Sequence, residues 1–406
     1  MPGPFPRRLF LTAATLAGFG TAVSIGAAGF YYYQSHRAAA TPASVYQLLG
    51  HYGYTTEPQK QALLQLIALS GVLGDQTFYQ RFPKRADTTA LVSDLLDFVA
   101  LTQQCLTIRT GTQERWDVAT QDWMQQHQAT LAHSLSVLGV TEAIVPPTQQ
   151  IPDLAVVLGA RYSTMAQRMG YLNQLIQQGQ ISPRAIAGLA GERYLTFNPP
   201  VDGSPEALQA LAAQHGIPVE TLTETHLMAD IWAKSPLSQQ SPAYPWILID
   251  TPRGNLPRPT TQTTVRALFE YLRTHPDLSA RTVVFISNQP HAAYQRAVIA
   301  QTLFDLHQQY PGYDFLDPGQ IQMAAPGIPG ELTLSQVKEG IGAVGSALWA
   351  QSPFVMQILL NDQPLTPTQT EQMRTLYKGN PLALLPPPAL AATAPARTMD
   401  SPRPVV

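Results

Sequence analysis

Short apolar runs that each hand over to a helix-spaced segment recur through the middle of this chain. They constrain its fold more than any other feature. Leu154–Leu158 and Val283–Ile286 are continuous stretches of strand length, with no polar residue to mark a solvent face. Strands of that kind are buried on both faces, as in a parallel sheet covered by helices on either side. Ala185–Leu189 and Trp246–Ile249 read the same way, Leu222 is assigned to a further strand, and the stretch around "YDFLDPG" (313–319) to an edge strand. Helical periodicity follows most of them, carried after the first by Met165, Met169, Leu172 and Ile176. Strands alternating with helices predict an α/β fold, a Rossmann-like doubly wound and mostly parallel sheet.

Four regions are expected. Residues 1–44 carry Arg7-Arg8 ahead of a Gly/Ala-rich apolar run from Leu9 to about Tyr33, which ends in Tyr31-Tyr32-Tyr33 and is followed by Ala38-Ala39-Ala40. The run approaches the ~20 residues that a membrane-spanning helix needs. Its leading arginines resemble a twin-arginine export signal and would keep the N-terminus cytoplasmic. An uncleaved signal anchor is the preferred reading and export with cleavage the second. Either places the body on the extracytoplasmic, periplasmic side of a membrane. Residues 45–145 show apolar positions at helical spacing, anchored by Trp116, Trp123 and Met124. Pro146-Pro147 opens the α/β domain of residues 146–383, whose last element is an amphipathic helix over "LTLSQVKEGIGAVGSALWAQS". The tail of residues 384–406 is rich in Pro and Ala and is expected to be disordered.

Composition narrows the function classes. The 406 residues carry a formal net charge of −2, and only 13% are charged. No basic patch stands out, which argues against nucleic acid as a partner. One cysteine, Cys105, excludes an intrachain disulfide framework and a Cys-rich metal site, and its apolar-periodic surroundings read as structural. A G-x-G-x-x-G match at Gly340–Gly345 follows "LSQVKE" rather than a strand, so it is read as chance or close helix packing and not as a dinucleotide fingerprint.

Polar residues gather just after the strands, where ligands bind in open α/β sheets. They are Arg161 and Arg168, Glu192 and Arg193, Glu224, Asp250-Thr251, and Ser287, Asn288 and His291. Arg161, Arg168, Arg193, Arg258 and Arg296 at strand ends and helix starts suit an anion, since guanidinium groups and helix N-termini both favour one. The alternative is that these arginines pair with Glu192, Glu206, Glu224 or Asp250 and hold the sheet rim together. Pro290 is assigned to the first helical position and His291 to a place just inside that helix, as a neutral general base or hydrogen-bond donor rather than a metal ligand, with a purely structural histidine as the alternative. No metal site is expected, and the residues name no cofactor. Ser287 lacks the small neighbours that a nucleophile elbow requires.

"DLAVVLGARYSTMAQRM", "PEALQALAAQHGIPVETLTE", "RPTTQTTVRAL" and "TVVFISNQPHAAYQRAVI" together resemble the DUF218 family of envelope-associated proteins. The resemblance covers roughly residues 151–310. It departs at Leu189–Arg193, where the family has a Ser-Gly-Gly turn, and at the long run from Trp232 to Pro259. The resemblance implies membrane association and a part in cell-envelope or peptidoglycan metabolism. With the arginines at the strand ends, the working expectation is binding of an anionic small molecule: a nucleotide, a sugar phosphate, or a prenyl phosphate such as a lipid carrier. By this likeness Arg168, Glu206, Glu224, Thr263, His291 and Arg296 match family positions, and the working expectation is that Arg168, Arg193 and Arg296 bind the anion. Glu192, Ser287 and Asn288 line the crevice, and His291 and Glu224 are the acid/base candidates of a hydrolase or transferase. The competing expectation is a non-catalytic ligand sensor or a partner-docking scaffold at the membrane.

Overall fold

The computed structural model describes residues 43–107, 118–147, 149–196, 201–240, 244–278, 280–360 and 397–398. Helices of ten residues or more are numbered. Before the sheet come α1 (Glu57–Leu69), α2 (Thr88–Leu106) and α3 (Gln128–Val137). The α/β part runs β1 (Leu154–Leu158), α4 (Tyr162–Gln177), β2 (Ala185–Gly191), α5 (Pro205–His215), α6 (Glu224–Lys234), β3 (Trp246–Thr251), α7 (Thr261–Thr274), β4 (Val283–Ile286), α8 (Ala292–Gln309) and β5 (Ile321–Ala324). The 26-residue α9 (Leu334–Leu359) follows.

Among the described residues β1 to β5 form a five-stranded parallel sheet in the order β5-β4-β1-β2-β3. Helices cover both faces, so this is an α/β fold of the Rossmann-like type. The absence of polar residues in β1 has a direct cause in this packing. Val156 and Leu158 pack on one face with Val265 and Phe269 of α7 and Ile299 and Leu303 of α8. Ala155 and Val157 pack on the other with Met165 and Leu172 of α4 and Met228 of α6.

A third core joins α1, α2 and α3 to α9, which contributes Val337, Ile341, Val344 and Leu348. The glycine motif lies inside this core. A Cβ on Gly340 would sit 2.8 Å from Leu135 Cδ1, and one on Gly345 2.8 Å from Leu106 Cβ. The glycines let α9 approach α3 and α2 closely, the role assigned to them from sequence. Gly345→Val is therefore expected to cost about 1–3 kcal/mol through overpacking. Gly170→Ala, mid-helix in α4 with nothing within 4 Å of the added methyl, should instead stabilise by roughly 0.5–1 kcal/mol. Urea denaturation of the two variants checks both signs. Cys105 is buried in α2 and burial pushes its thiol up to about 12, which suits a structural residue.

Three expectations need correction. Leu222 is not on a strand of the sheet: a 3₁₀ turn spans Val219–Thr221 and α6 begins at Glu224. Too little chain lies between them to cross the sheet, and only one antiparallel bridge forms, Tyr194 to Thr223. Its apolar signal comes from burial in the core between sheet and helices. The edge strand is Ile321–Ala324 rather than the stretch 313–319, because Tyr313 and Phe315 are spent on an aromatic cluster around Phe269. Pro290 does not take the first helical position. The helix starts at Ala292 with His291 as its N-cap residue, and the Gln289–Pro290 peptide is cis. Arg397–Thr398 form β6 antiparallel to β3, supplying partners to backbone groups that an edge strand otherwise leaves open.

No helix among the described residues is long and apolar enough to cross a membrane. The expected signal anchor lies outside them, as does most of the tail.

Candidate functional site

β1 sits at the topological switch point of the sheet: β2 and β3 extend from one side of it, β4 and β5 from the other. Crevices beyond the carboxyl ends of such strands are where α/β domains bind ligands. Gly159 and Ala160 leave β1 here and Arg161 is the N-cap residue of α4, with extended backbone (φ −66°, ψ 160°) and no side chain capping the helix. The first turn of α4 thus has no side-chain acceptor from its N-cap residue, an arrangement that in general suits an anion.

Arg168, one turn further along α4, folds back and stitches the crevice walls together. Its Nη1 donates to the carbonyls of Leu158 (2.6 Å) and Gly159 (2.7 Å). Nε and Nη2 donate to Asn288 Oδ1 beyond β4 at 3.1 and 2.5 Å. The side chain is 2% exposed. The sequence pair Arg168 and Asn288 is therefore brought together, as a brace across the switch point.

Arg193 makes the second knot. Nε donates to Glu224 Oε2 at 2.8 Å, Nη1 and Nη2 to the two oxygens of Asp202 at 2.9 and 2.8 Å, and Nη2 also to the Ala160 carbonyl at 3.1 Å. Such bidentate pairing fixes geometry as well as charge. Burial works against the Arg193 charge, but Asp202 and Glu224 hold the guanidinium protonated, above its ordinary value. Asp202 is fully buried and accepts a further bond from the Thr196 N–H.

Glu224 is the first residue of α6, and its backbone N–H donates to the Arg193 carbonyl at 3.0 Å. The helix is started by Thr223, whose N–H donates to His226 Nδ1 at 3.1 Å. Burial, and then His215, keeps the His226 imidazole below its ordinary range, which favours the neutral acceptor form. The Glu224 carboxyl then lies directly over Gly159. A Cβ there would overlap Oε1 and approach the Leu189 carbonyl oxygen to 2.6 Å. Thr225 ties the same turn to Asp250 at the end of β3 (2.6 Å).

Burial raises the Glu224 pKa, and the opposing charges of Arg193, Arg258 and Arg168 do not bring it back to its ordinary 4.5. The folded chain therefore binds this proton more tightly than the unfolded chain does. The resulting stability is fully present below about 4.5 and is lost as pH rises through the raised folded value. Glu224→Gln should flatten that part of the curve, with wild type declining relative to the variant as pH increases. Urea midpoints across the acid range read this directly.

The remaining candidates make contacts of their own. Ser287 is fully buried and its hydroxyl donates to Gln295 Oε1 beneath α8. Thr263 completes a capping box with Thr260 at the start of α7, accepting from the Thr260 N–H at 2.8 Å. Glu192 accepts from the Arg253 N–H at 3.1 Å on the rim. Arg296 is buried on α8, on the same helical stripe as Ile299, Ala300 and Leu303. His291 follows β4, and its Nε2 lies 3.0 Å from Glu339 Oε1 on α9. Gln289 anchors this loop to the helical region by donating to the carbonyls of Gly139 (3.1 Å) and Glu142 (2.8 Å).

Two participants escaped the sequence reading. Asp202 lies in "VDGSPE", a stretch whose local signal is turn and helix start. Glu339 lies on a helix with no sequence link to His291. Among the described residues no group of three or more His, Cys, Asp or Glu could hold a metal ion.

Fold and site together define a Rossmann-like α/β domain whose switch-point crevice is braced by two buried arginines around one buried carboxyl. Set beside protein-family models, curated proteins and solved structures, the chain matches none of them.

Proposed function

We propose that the domain binds an anionic small molecule, phosphorylated or linked to a lipid carrier, in the crevice beyond β1. The first-turn amides of α4 would hold the anion, and Glu224 would act beside it as the general acid. The observation that carries this reading is the placement of a buried carboxyl over Gly159, next to a helix start that no side chain caps. Burial shifts the Glu224 carboxyl above its ordinary value, the direction that a proton donor to a departing oxygen needs. His291, beyond β4 on the other flank, is the group to take a proton from an attacking water or hydroxyl. The reaction class is hydrolysis or transfer at a phosphate ester.

The DUF218-like residues support a place in cell-envelope metabolism, and the apolar N-terminal segment supports anchoring with the body outside the cytoplasm. Both belong to the proposal. A ligand sensor without turnover is the second reading. It is favoured by the inward-turned hydrogen bonds of Arg168 and Arg193, which leave an anion chiefly to backbone amides. Recovery of unchanged ligand from stoichiometric mixtures would favour the sensor, and product the enzyme.

The test is a thermal-shift panel of nucleotides, sugar nucleotides and prenyl phosphates on wild type, Tyr162→Ala and Tyr162→Pro. Both substitutions remove the same ring, but only proline removes the N–H at the first position of α4. Arg161 already has the extended backbone that a following proline requires. A ligand at 100 times its Kd should add about 2.7 kcal/mol of stability to wild type. Tyr162→Ala should keep most of that gain and Tyr162→Pro should lose it. Equal gains in the two variants would place the anion elsewhere.

A further inference from the structure

We propose that His226 is a pH-sensitive latch on the start of α6. Neutral, it holds the turn that places Glu224 over Gly159; protonated, it lets that turn open. The consequence for the site rests on the reading of Glu224 as its proton donor, while the opening itself does not.

The latch is built at one ring nitrogen. A capping box ordinarily closes with Glu or Gln at the third helical position. In α6 that position is His226, and its Nδ1 accepts from the Thr223 N–H at 3.1 Å. Thr223 is buried, and its hydroxyl oxygen lies 2.9 Å from the same nitrogen. A neutral imidazole with its hydrogen on Nε2 accepts at Nδ1, whereas the cation can only donate. Protonation therefore reverses the contact. Nδ1–H turns to the Thr223 hydroxyl, and the Thr223 N–H is left facing a donor. A buried donor without an acceptor is costly. The next residue is Glu224, whose N–H donates to the Arg193 carbonyl at 3.0 Å and whose carboxyl pairs with the Arg193 guanidinium. Loosening this turn pulls on the carboxyl that overlies Gly159.

The surroundings oppose the cation. His215, at the end of α5, stands edge-on to His226 with ring centroids 5.0 Å apart, and its own Nε2 is buried without a hydrogen-bond partner. The N-terminal end of a helix also carries partial positive charge, which a further cation meets unfavourably. Of the elements packed on α6, β2 and the turn Pro236–Gln239 have no titratable side chain. α4 brings Arg161, Tyr162 and Arg168, which add no negative charge at neutral or acid pH. Asp250 of β3 accepts from Thr225, Glu224 pairs with Arg193, and Asp230 pairs with Lys234. Glu220 lies in the turn before α6, and Tyr194 bridges Thr223. Burial first, and then His215, moves the His226 ring below its ordinary 6.5. Stability that goes with the neutral ring is fully present above that value and is lost as pH falls through the lowered folded one. The Glu224 contribution runs in the opposite direction.

The experiment is amide hydrogen exchange at Thr223, Glu224 and Thr225 of the full chain without ligand. It runs from about pH 8 down to the acid limit of the folded state, with the His226 ring titrated by its C–H shifts in the same samples. After correction for intrinsic rates, wild-type protection at Thr223 should fall about tenfold or more as the ring takes its proton, with the same midpoint. His226→Gln supplies the ordinary capping partner, which does not titrate, and should keep its protection throughout. The proposal is overturned by wild-type protection that stays flat, by a ring that remains neutral to the acid limit, by a loss whose midpoint is not that of the ring, or by an equal loss in His226→Gln. The wild-type arm decides even if the variant fails to fold. No ligand enters this measurement, so its failure is distinct from failure of the anion reading, which the Tyr162 pair tests separately.

Discussion

Arg193→Ala should lower the free energy of unfolding by about 3–5 kcal/mol, the loss expected when one member of a buried ionic cluster is removed. The guanidinium is shared between Asp202, which is fully buried, and Glu224, whose side chain is 13% exposed. Without it two carboxylates face each other in a site from which water is largely excluded, and one must be protonated or reach solvent. Arg193→Lys should recover only part of the loss, because a point charge cannot bridge both partners as the fork does. Changing the three together, Arg193→Met, Asp202→Leu and Glu224→Met, should recover most of it, since replacing a whole buried cluster by apolar residues is often neutral or better. Urea denaturation at neutral pH reads all three variants. A loss below about 1 kcal/mol for Arg193→Ala, the range of an exposed ion pair, would mean that the cluster is open to water.

Gly159→Ala is expected to damage fold and site at once. The added methyl meets a backbone carbonyl, that of Leu189, and the Glu224 carboxyl. The Leu189 backbone is tied into the register of β1 with β2 and cannot withdraw without loosening that ladder. Glu224 can move only by leaving Arg193. Overpacking of this kind costs about 1–3 kcal/mol, occasionally more, and displacement of the carboxyl adds the loss of its ion pair. Ligand-induced stabilisation should disappear in the same variant. Thermal melting with and without ligand separates the two effects. An unchanged melting temperature would mean that the crevice is wider than these contacts allow. The requirement at this position is space for a carboxyl against the backbone.

The strands were legible where burial on both faces wrote itself into the sequence. β1 and β4 have no polar residue because helices cover both of their sides. Leu222 and the stretch 313–319 misled for the complementary reason. An apolar residue is buried whether it sits on a strand, on a short connection like Leu222, or in an aromatic cluster like Phe315, and periodicity alone does not separate these. The close packing of α9 was readable from Gly340 and Gly345 because glycine has few other uses within a helix.

The site was legible in its membership more than in its wiring. Arg168, Asn288, Arg193 and Glu224 are where strand ends should gather them. Of the two readings of the arginines, the bracing one describes the Arg168 and Arg193 side chains, and anion binding belongs to the proposal. Asp202 and Glu339 were not readable because nothing local in a sequence announces a partner across the fold. Glu339 meets His291 only because α9 returns to pack along α8.

The most direct test of the central claim is amide hydrogen exchange at Tyr162, Ser163 and Thr164 of the full chain, with and without inorganic pyrophosphate. No side chain caps this turn, so without ligand these amides should exchange quickly. An anion seated on the turn should slow all three, more strongly than at the first turns of α6 or α7, which Thr223 and Thr260 start. Unchanged exchange at Tyr162–Thr164 at saturating pyrophosphate, or protection appearing instead at another helix start, would contradict an anion site beyond β1.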